Sequence, residues 1–232
     1  MITVQKRLPK IPLKLYPYQK TWIQDKSRLK IAGKSRRIGY SFASGLAGIL
    51  KTLEKGDDFI IVSTSERLSK LFIERSIAPH IRSMQVVARY IDSDVMKGTG
   101  IQKQEVTFPD CKGKIIALPA NPETLRSYEG NILLDEFSRH VDARKIYEAI
   151  EPSITRGYGL EIISTPNGQQ GEFYNLAKAA GLVDGIRESG CEWSAHKTDI
   201  YEAIKQGCAD RYGNPLDPEK LKKGCLDDDM WL

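Results

Sequence analysis

A short run of small, basic and hydroxyl residues near the N-terminus has the chemistry of a phosphate-binding loop. It covers residues 31–41 and reads IAGKSRRIGYS. In the usual pattern, G-x-x-x-x-G-K-[ST], backbone amides surround phosphate groups and the lysine ammonium reaches the terminal phosphates. When Gly39 closes the loop, Tyr40 stands at the lysine position. Lys34, at the start of the loop, must then supply the positive charge.

Two registers of this loop are possible, and they require different strands before it. If residues 33–35 closed the loop, its first glycine would fall on Arg28 and the strand would be the polar segment 18–25. If residues 29–32 form the strand, the loop covers residues 34–41, and a helix with small and apolar positions follows. We adopt the second register, because the motif requires a strand before the loop and a helix after it.

A second signal is the segment 131–136, NILLDE, in which an apolar run ends in two carboxylates. Buried parallel strands have this composition, and ligands bind at the carboxyl ends of strands in open α/β sheets. In phosphoryl-transfer sites the first carboxylate, here Asp135, holds Mg²⁺ together with the loop hydroxyl, here Ser41. Glu136 is then placed to polarise or deprotonate an attacking water molecule. The alternative is an ordinary strand end with two solvated acids.

A third signal is the segment 160–168, LEIISTPNG, a short apolar strand followed by a turn. Ser164, Thr165 and Asn167 supply hydroxyl and amide groups there that can sense the terminal phosphate of a nucleotide. Taken alone, the segment is more typical of a plain strand-to-turn junction. The three strand ends together, each polar where one nucleotide would lie, indicate a shared site.

The combination of segments 34–41, 133–137 and 164–168 resembles the ATPase domain of the large terminase subunits of tailed bacteriophages. These subunits are the motors that package DNA into proheads. The displaced lysine is similar to the deviant loop of one terminase branch. The resemblance covers about residues 15–170 and extends more loosely to the end of the chain. It implies a P-loop NTPase of the ASCE type, with ATP and Mg²⁺ as cofactors.

The segment 16–19, Tyr-Pro-Tyr-Gln, resembles the adenine-recognising Q motif of the same family. A glutamine carboxamide can hydrogen-bond an adenine edge in both directions, and a tyrosine ring can stack on the base. A surface turn is the alternative interpretation. The resemblance implies that Ser41 and Asp135 hold the metal ion. It also implies nucleotide contacts from Tyr18, Gln19, Lys34, Ser35, Arg36, Arg37, Ile38, Gly39, Tyr40, Ser41, Ser164, Thr165 and Asn167.

Arginines are candidates for stabilising the charge that develops on the transferred phosphoryl group. Arg36 and Arg37 lie within the loop and can act in cis, or they can pair with neighbouring carboxylates. Similar terminases carry, at the place of Arg126, an arginine that acts in trans on the neighbouring subunit's ATP. That arginine is usually followed by glycine, whereas this chain has Ser127. An exposed loop arginine without a role is the alternative for Arg126.

The composition predicts a single soluble domain. The chain has 232 residues, of which 41% are hydrophobic, enough for one sizeable core. No apolar run is long enough to span a membrane, and residues 1–10 contain no apolar signal region. The four cysteines and three histidines are scattered without metal-binding spacing, which favours a reducing cytosol. The net charge of +5 is compatible with DNA binding but does not demonstrate it.

Alternating strand and helix patterns predict an α/β fold with a mostly parallel sheet flanked by helices on both faces. The further predicted elements are a strand at 58–63, a helix at 65–84, a hairpin of strands 105–108 and 114–118, a helix at 142–150 capped by Asp142, a strand at 186–195 and a helix at 199–206. We expect one ATPase domain over residues 1–232, with a core at about 28–170. Segment 1–27 is expected to bind adenine, and segment 171–232 to form a small lid or edge subdomain.

In the family, an RNase H-like nuclease domain follows the ATPase domain and cuts DNA with clustered acids and two metal ions. The acidic cluster at 227–229 consists of three aspartates without a surrounding core strand. A solvated acidic run is the simpler interpretation of such a cluster. We therefore expect the nuclease domain to be absent from this sequence.

The sequence and the resemblance together predict an ATP-hydrolysing motor domain that translocates double-stranded DNA into a prohead. Its expected partners are double-stranded DNA, further copies in a homo-oligomeric ring, the portal and the small terminase subunit, with no membrane. The expected location is the bacterial host cytoplasm, at the prohead portal. A helicase-like nucleic-acid translocase is one alternative. A non-hydrolysing ATP-binding switch or DNA-binding module is the other, motivated by Tyr40 but opposed by the intact Asp135–Glu136 pair.

Overall fold

An eight-stranded sheet organises the fold. The structure, a computed structural model, describes residues 13–94, 101–210 and 213–217. The sheet consists of β1 (Leu29–Lys34), β2 (Phe59–Ser63), β3 (Arg89–Asp94), β4 (Gln102–Thr107), β5 (Lys114–Pro119), β6 (Asn131–Asp135), β7 (Leu160–Ser164) and β8 (Ser194–Thr198). Its strand order is β3-β4-β5-β2-β6-β7-β1-β8. The β3–β4 and β4–β5 pairs are antiparallel, and every other neighbouring pair is parallel.

This strand order brings the three polar strand ends to one edge of the sheet. β7 lies between β6 and β1, with Ile163 opposite both Asp135 and Ala32. Because the three strands are parallel, the loop after β1, the acidic pair after β6 and the turn after β7 all follow carboxyl ends. They therefore start from the same side of the sheet, as the sequence predicts.

Helices cover both faces of the sheet. They are α1 (Pro17–Gln24), α2 (Tyr40–Lys55), α3 (Glu66–Phe72), α4 (Ala78–Ser83), α5 (Pro122–Leu125), α6 (Ala143–Thr155), α7 (Gly171–Ala179) and α8 (Ile200–Lys205). A π-helical turn, Ile73–Ile77, joins α3 to α4, and a 3-10 turn, Phe137–Arg139, follows β6. Along β2, Phe59 and Ile61 enter one hydrophobic core while Ile60 enters the other. Such alternation is typical of a strand buried on both sides, and the predicted α/β class is confirmed.

The last strand and helix α6 have bounds that differ from those predicted. The predicted strand 186–195 is mostly a turn region, and β8 begins only at Ser194, where pairing with β1 starts. That pairing is a long-range contact, and the alternately exposed side chains of β8 carry no strong apolar signal. Helix α6 does not end at residue 150 but continues through Pro152 to Thr155, with Ser153 buried.

Three further details correct the sequence analysis. Asp142 precedes α6 as predicted, but its side chain makes no capping hydrogen bond and lies 3.7 Å from the Lys145 ammonium. Residues 17–24 form helix α1, so the loop register that required a strand at 18–25 is excluded. Strand β3 was not predicted, because five of its six residues are exposed and no alternation is visible.

The described part of segment 171–232 belongs to the main sheet. β8 forms the sheet edge beside β1, and α7 buries Phe173 and Ala177 in the second core. The described residues of this segment thus contribute to the edge of the fold. The acidic run 227–229 lies outside the described residues. Within the described ranges, no helix has the length and apolarity to cross a bilayer.

A buried charge network ties α2 to the sheet, and no sequence pattern predicted it. Lys30 on β1 lies opposite Glu161 on β7, and both side chains are fully buried. Lys51 on α2 pairs with the same carboxylate. Burial alone would raise the pKa of Glu161, but the two ammonium groups outweigh it and hold that pKa below its ordinary value. The network links the sheet to the helix that follows the loop.

Candidate functional site

The loop between β1 and α2 turns tightly through two residues in the left-handed region. β1 extends through Lys34, so the loop proper covers residues 35–39. Arg37 has φ 59°, and Gly39, which precedes α2, has φ 83°. Left-handed residues allow successive N–H groups to point into one concavity, where anions bind. Glycine is favoured at position 39 by this left-handed φ, and a Cβ there would also lie 2.5 Å from Gln19 Nε2.

Tyr40 points away from the loop into the first hydrophobic core. Its side chain is 2% exposed, and its hydroxyl lies 2.8 Å from Thr198 Oγ1 on β8. Its ring packs against Tyr18 and, edge to face, against Trp22. Burial raises the pKa of the Tyr40 phenol. The backbone carbonyl of Thr198 accepts the Ser35 N–H at 3.0 Å, so β8 contacts both ends of the loop. The Tyr40 side chain does not replace the usual lysine.

Lys34 supplies an ammonium group at the ends of the neighbouring strands. Its side chain is 5% exposed, and Nζ forms an ion pair with Glu136 Oε1. Nζ also donates a hydrogen bond to Thr165 Oγ1 at 3.1 Å. These contacts join the end of β1 to the residues that follow β6 and β7. The three segments singled out in the sequence therefore meet in space.

Asp135 and Ser41 form the second pair predicted from the sequence. Ser41 Oγ, in the first turn of α2, donates to Asp135 Oδ1 at 3.1 Å. Burial, and then the charge of Glu136, raise the pKa of the Asp135 carboxyl to about 6. A carboxylate and a hydroxyl supply oxygen ligands of the kind that Mg²⁺ prefers, and a cation would relieve the cost of burying this negative charge. The two residues therefore fit a magnesium ion.

Glu136 turns out of β6 toward β7. Its backbone lies in the left-handed region, with φ 52°, immediately after the strand ends. Its Oε2 accepts a hydrogen bond from the Thr165 N–H at 3.1 Å, while Oε1 pairs with Lys34. The side chain is 35% exposed, so water can reach the carboxylate. A strained residue whose carboxylate is fixed by a backbone amide and open to water has the geometry of a general base.

Two serines connect the ends of β6 and β7. The Ser138 N–H donates to Ser164 Oγ at 2.9 Å, and Ser138 Oγ donates to the Thr165 carbonyl at 2.6 Å. Ser164 is fully buried, so its hydroxyl supports the frame of the site. Asn167 is exposed in the turn that follows. Ser138 was not predicted, because its only signal in the sequence is a hydroxyl two positions after the acidic pair.

Sequence comparison finds relatives of moderate identity. No protein-family model matches the chain. The chain is 27% identical over 203 residues to the Mu-like prophage FluMu protein gp28 of Haemophilus influenzae. It is 27% identical over 220 residues to the probable terminase, large subunit gp28, of Escherichia phage Mu. These alignments cover 85% and 88% of the chain, which spans 38% of the length of each curated relative.

Solved structures share the fold at lower identity. The Thermus phage P74-26 large terminase ATPase domain has a TM-score of 0.65 at 17% identity, covering 86% of this chain and 90% of that one. The chain has the fold of a large terminase ATPase domain. A large terminase of a thermophilic bacteriophage, in complex with ADP, has a TM-score of 0.60 at 10% identity, covering 82% of this chain and 47% of that one. The α/β fold that the resemblance of the three motifs implied is therefore confirmed.

In this terminase ATPase fold, the predicted arginines occupy exposed positions. Arg36 and Arg37 are exposed in the loop, and neither forms an ion pair with another residue in the described part of the chain. Arg126 follows α5 and pairs with Glu123 at 3.3 Å, with its side chain still 63% exposed. An exposed pair of this kind contributes little stability, so Arg126 can exchange it for another partner. The roles of all three arginines stay predictions.

The two residues predicted to contact adenine lie in the first turn of α1. Tyr18 and Gln19 are 5% and 4% exposed. The Tyr18 hydroxyl donates to the Ile38 carbonyl, and Gln19 Nε2 donates to the Gly39 carbonyl at 3.1 Å. The Ile38 side chain is buried in the first core, so only its backbone faces the loop partners. Segment 16–19 thus lies against the loop between β1 and α2, and its side chains contact the backbone of that loop.

Proposed function

We propose that this chain is the ATP-hydrolysing motor domain of a viral terminase that translocates double-stranded DNA into a prohead. One observation supports this above all: Lys34, Asp135 and Glu136 meet at the carboxyl edge of neighbouring parallel strands. Such an edge is where open α/β sheets bind their ligands. The phage Mu relative is named a probable terminase, large subunit, and a structural neighbour is a complex with ADP.

Each charged group has a distinct part in the proposed hydrolysis. The loop amides and the Lys34 ammonium hold the phosphates of ATP. Ser41 and Asp135 hold Mg²⁺, which when bound supplies positive charge to the phosphate oxygens. Glu136 accepts a proton from the attacking water while the Thr165 N–H orients its carboxylate. Glu136 pairs with the Lys34 ammonium, so a phosphate group that binds to Lys34 competes with this carboxylate.

The proposed motor requires groups and partners beyond these residues. Arg36 or Arg37 is proposed to stabilise the transferred phosphoryl group in cis, since both are exposed in the loop. Arg126 is proposed to act on the ATP of a neighbouring copy in a homo-oligomeric ring, which its exposure permits. Double-stranded DNA, the portal and the small terminase subunit complete the proposed machine, at the prohead portal in the host cytoplasm.

Two alternatives to the packaging motor are a non-hydrolysing switch and a helicase-like translocase. The non-hydrolysing switch was motivated by Tyr40, whose side chain lies in the core while Lys34 supplies the ammonium group. This arrangement supports the hydrolysing motor over the switch. A helicase-like translocase would use the same catalytic groups and would differ in the nucleic acid that it follows. The form of DNA that stimulates turnover separates it from the packaging motor.

Linear double-stranded DNA is expected to stimulate ATP hydrolysis by the purified protein several-fold, because a motor couples turnover to movement along the duplex. Single-stranded DNA of equal length should have no such effect. Phosphate release from Mg·ATP at one fixed ionic strength measures this, since DNA binding depends strongly on salt. Stimulation by single strands alone would favour the helicase-like alternative. Absence of turnover under every condition would contradict the proposed motor.

A further inference from the structure

The hydrogen-bonding groups of the Gln19 carboxamide are used inside the protein. Its Oε1 accepts the Tyr16 N–H at 3.0 Å. Its Nε2 donates to the Gly39 carbonyl at 3.1 Å and points toward the Ile38 carbonyl at 3.5 Å. Because only 4% of the residue is exposed, its amide group is not accessible to a ligand. An adenine edge would have to displace contacts to the loop itself.

The side chain of Tyr18 also contacts the loop backbone and is buried. Its hydroxyl donates to the Ile38 carbonyl, and the residue is 5% exposed. Its ring lies near-parallel to those of Tyr16 and Tyr40, with centroids 5.7 Å and 5.9 Å away. These neighbours and the surrounding core enclose the ring. A nucleotide base therefore finds no free face of Tyr18 on which to stack.

The two carbonyl groups that accept hydrogen bonds from Tyr18 and Gln19 lie at the end of the loop. Ile38 and Gly39 are the last two residues before α2, whose first turn presents the amides and Ser41 to the site. Gly39 is left-handed, and a side chain there would collide with Gln19 Nε2. The carboxamide and the glycine are thus complementary in shape, and α1 fixes the direction in which the loop enters the helix.

We infer that Gln19 and Tyr18 position the phosphate loop and do not read the base. Gln19 is a positioning residue that acts on ATP through the Ile38 and Gly39 carbonyls. The loop binds phosphates, which ATP and GTP share, so loss of Gln19 must weaken both nucleotides equally. An adenine reader would behave differently, because its loss would weaken ATP alone. The inference rests on the proposed function, since it concerns the nucleotide bound at the same loop.

The test compares ATP and GTP hydrolysis by Gln19→Ala protein. KM should rise by the same factor for both nucleotides, on the order of tenfold for the loss of a loop-holding hydrogen bond. The kcat values should stay close to wild type, and the ratio of kcat/KM for ATP over GTP should not change. Lys20→Ala is the matched control, because Lys20 is the next residue of α1 and is exposed. It should leave every constant unchanged.

Three results would overturn the inference. A rise in KM for ATP alone would make Gln19 an adenine reader. Unchanged KM values for both nucleotides would show that the loop does not depend on it. A fall in kcat at constant KM would indicate a smaller folded fraction and so a purely structural role.

Two further measurements keep the test decisive. If the alanine variant does not fold, Tyr18→Phe keeps the ring and removes only the hydroxyl donor to Ile38. The same equal rise in KM is expected for it, with a smaller factor, and the same three results count against the inference. Equilibrium binding of fluorescent ATP and GTP analogues reports on the loop without turnover. A wild-type protein that binds both nucleotides but hydrolyses neither would contradict the proposed motor. The nucleotide affinities of the variants would still show whether Gln19 positions the loop.

Discussion

Lys34→Ala protein is expected to lose ATP turnover almost completely. Lys34 alone, among the lysines in the described ranges, pairs with Glu136, and Tyr40 lies in the core where it cannot substitute. Removing one preorganised charge from a site where negative charge develops lowers kcat by roughly 10²–10³-fold. Steady-state phosphate release from Mg·ATP measures the effect.

The control for Lys34 is another lysine at the same end of the sheet. Lys197 on β8 is exposed and lies opposite Gly33, so Lys197→Ala should keep wild-type turnover. Thermal unfolding of Lys34→Ala protein shows whether the fold survives the loss of the ion pair with Glu136. A folded alanine variant with normal hydrolysis would reduce the loop to an ordinary turn.

Glu136→Gln protein is expected to bind Mg·ATP normally and to lose turnover. The amide keeps the size of the side chain and can still accept the Thr165 N–H, but it cannot take a proton from water. Loss of a general base typically costs about 10²–10⁴-fold in rate. Nucleotide affinity by fluorescence titration and phosphate release, measured on the same sample, separate binding from chemistry.

Asp135→Asn should behave differently from Glu136→Gln. Asp135 contacts Ser41 and is the buried carboxylate that fits Mg²⁺, so its amide should weaken magnesium-dependent nucleotide binding as well as turnover. Glu151→Gln, on the exposed side of α6, is the control for both changes and should be silent. Normal hydrolysis by the Asp135 and Glu136 variants would mean that these acids are ordinary solvated strand ends.

The sequence could predict the three strand ends because each is encoded locally. An apolar run followed at once by polar residues, as in segment 131–136, marks both a buried strand and the edge where it stops. Parallel pairing then brings such ends together whatever the intervening chain does. The contacts of Lys34 with Glu136 and Thr165 follow from that arrangement.

The direction of Tyr40 and Gln19 could not be predicted in the same way. Both residues stand at positions where the family pattern suggests nucleotide contact. Both side chains are instead buried where α1 packs beside the start of α2. Their burial depends on how α1 packs across the loop and on Thr198 from β8, the strand whose bounds were also misjudged. Neither contact has a short-range sequence signal, because the partners are far apart in the chain.

The most direct test of the account is a structure of the protein with Mg²⁺ and a non-hydrolysable ATP analogue. We expect the terminal phosphate to contact the Lys34 ammonium, Ser41 and Asp135 to hold the metal ion, and Glu136 to be released from Lys34. Gln19 should remain bonded to the Gly39 carbonyl. A nucleotide bound elsewhere, or one bound at the loop without Lys34, would contradict the assignment of the site.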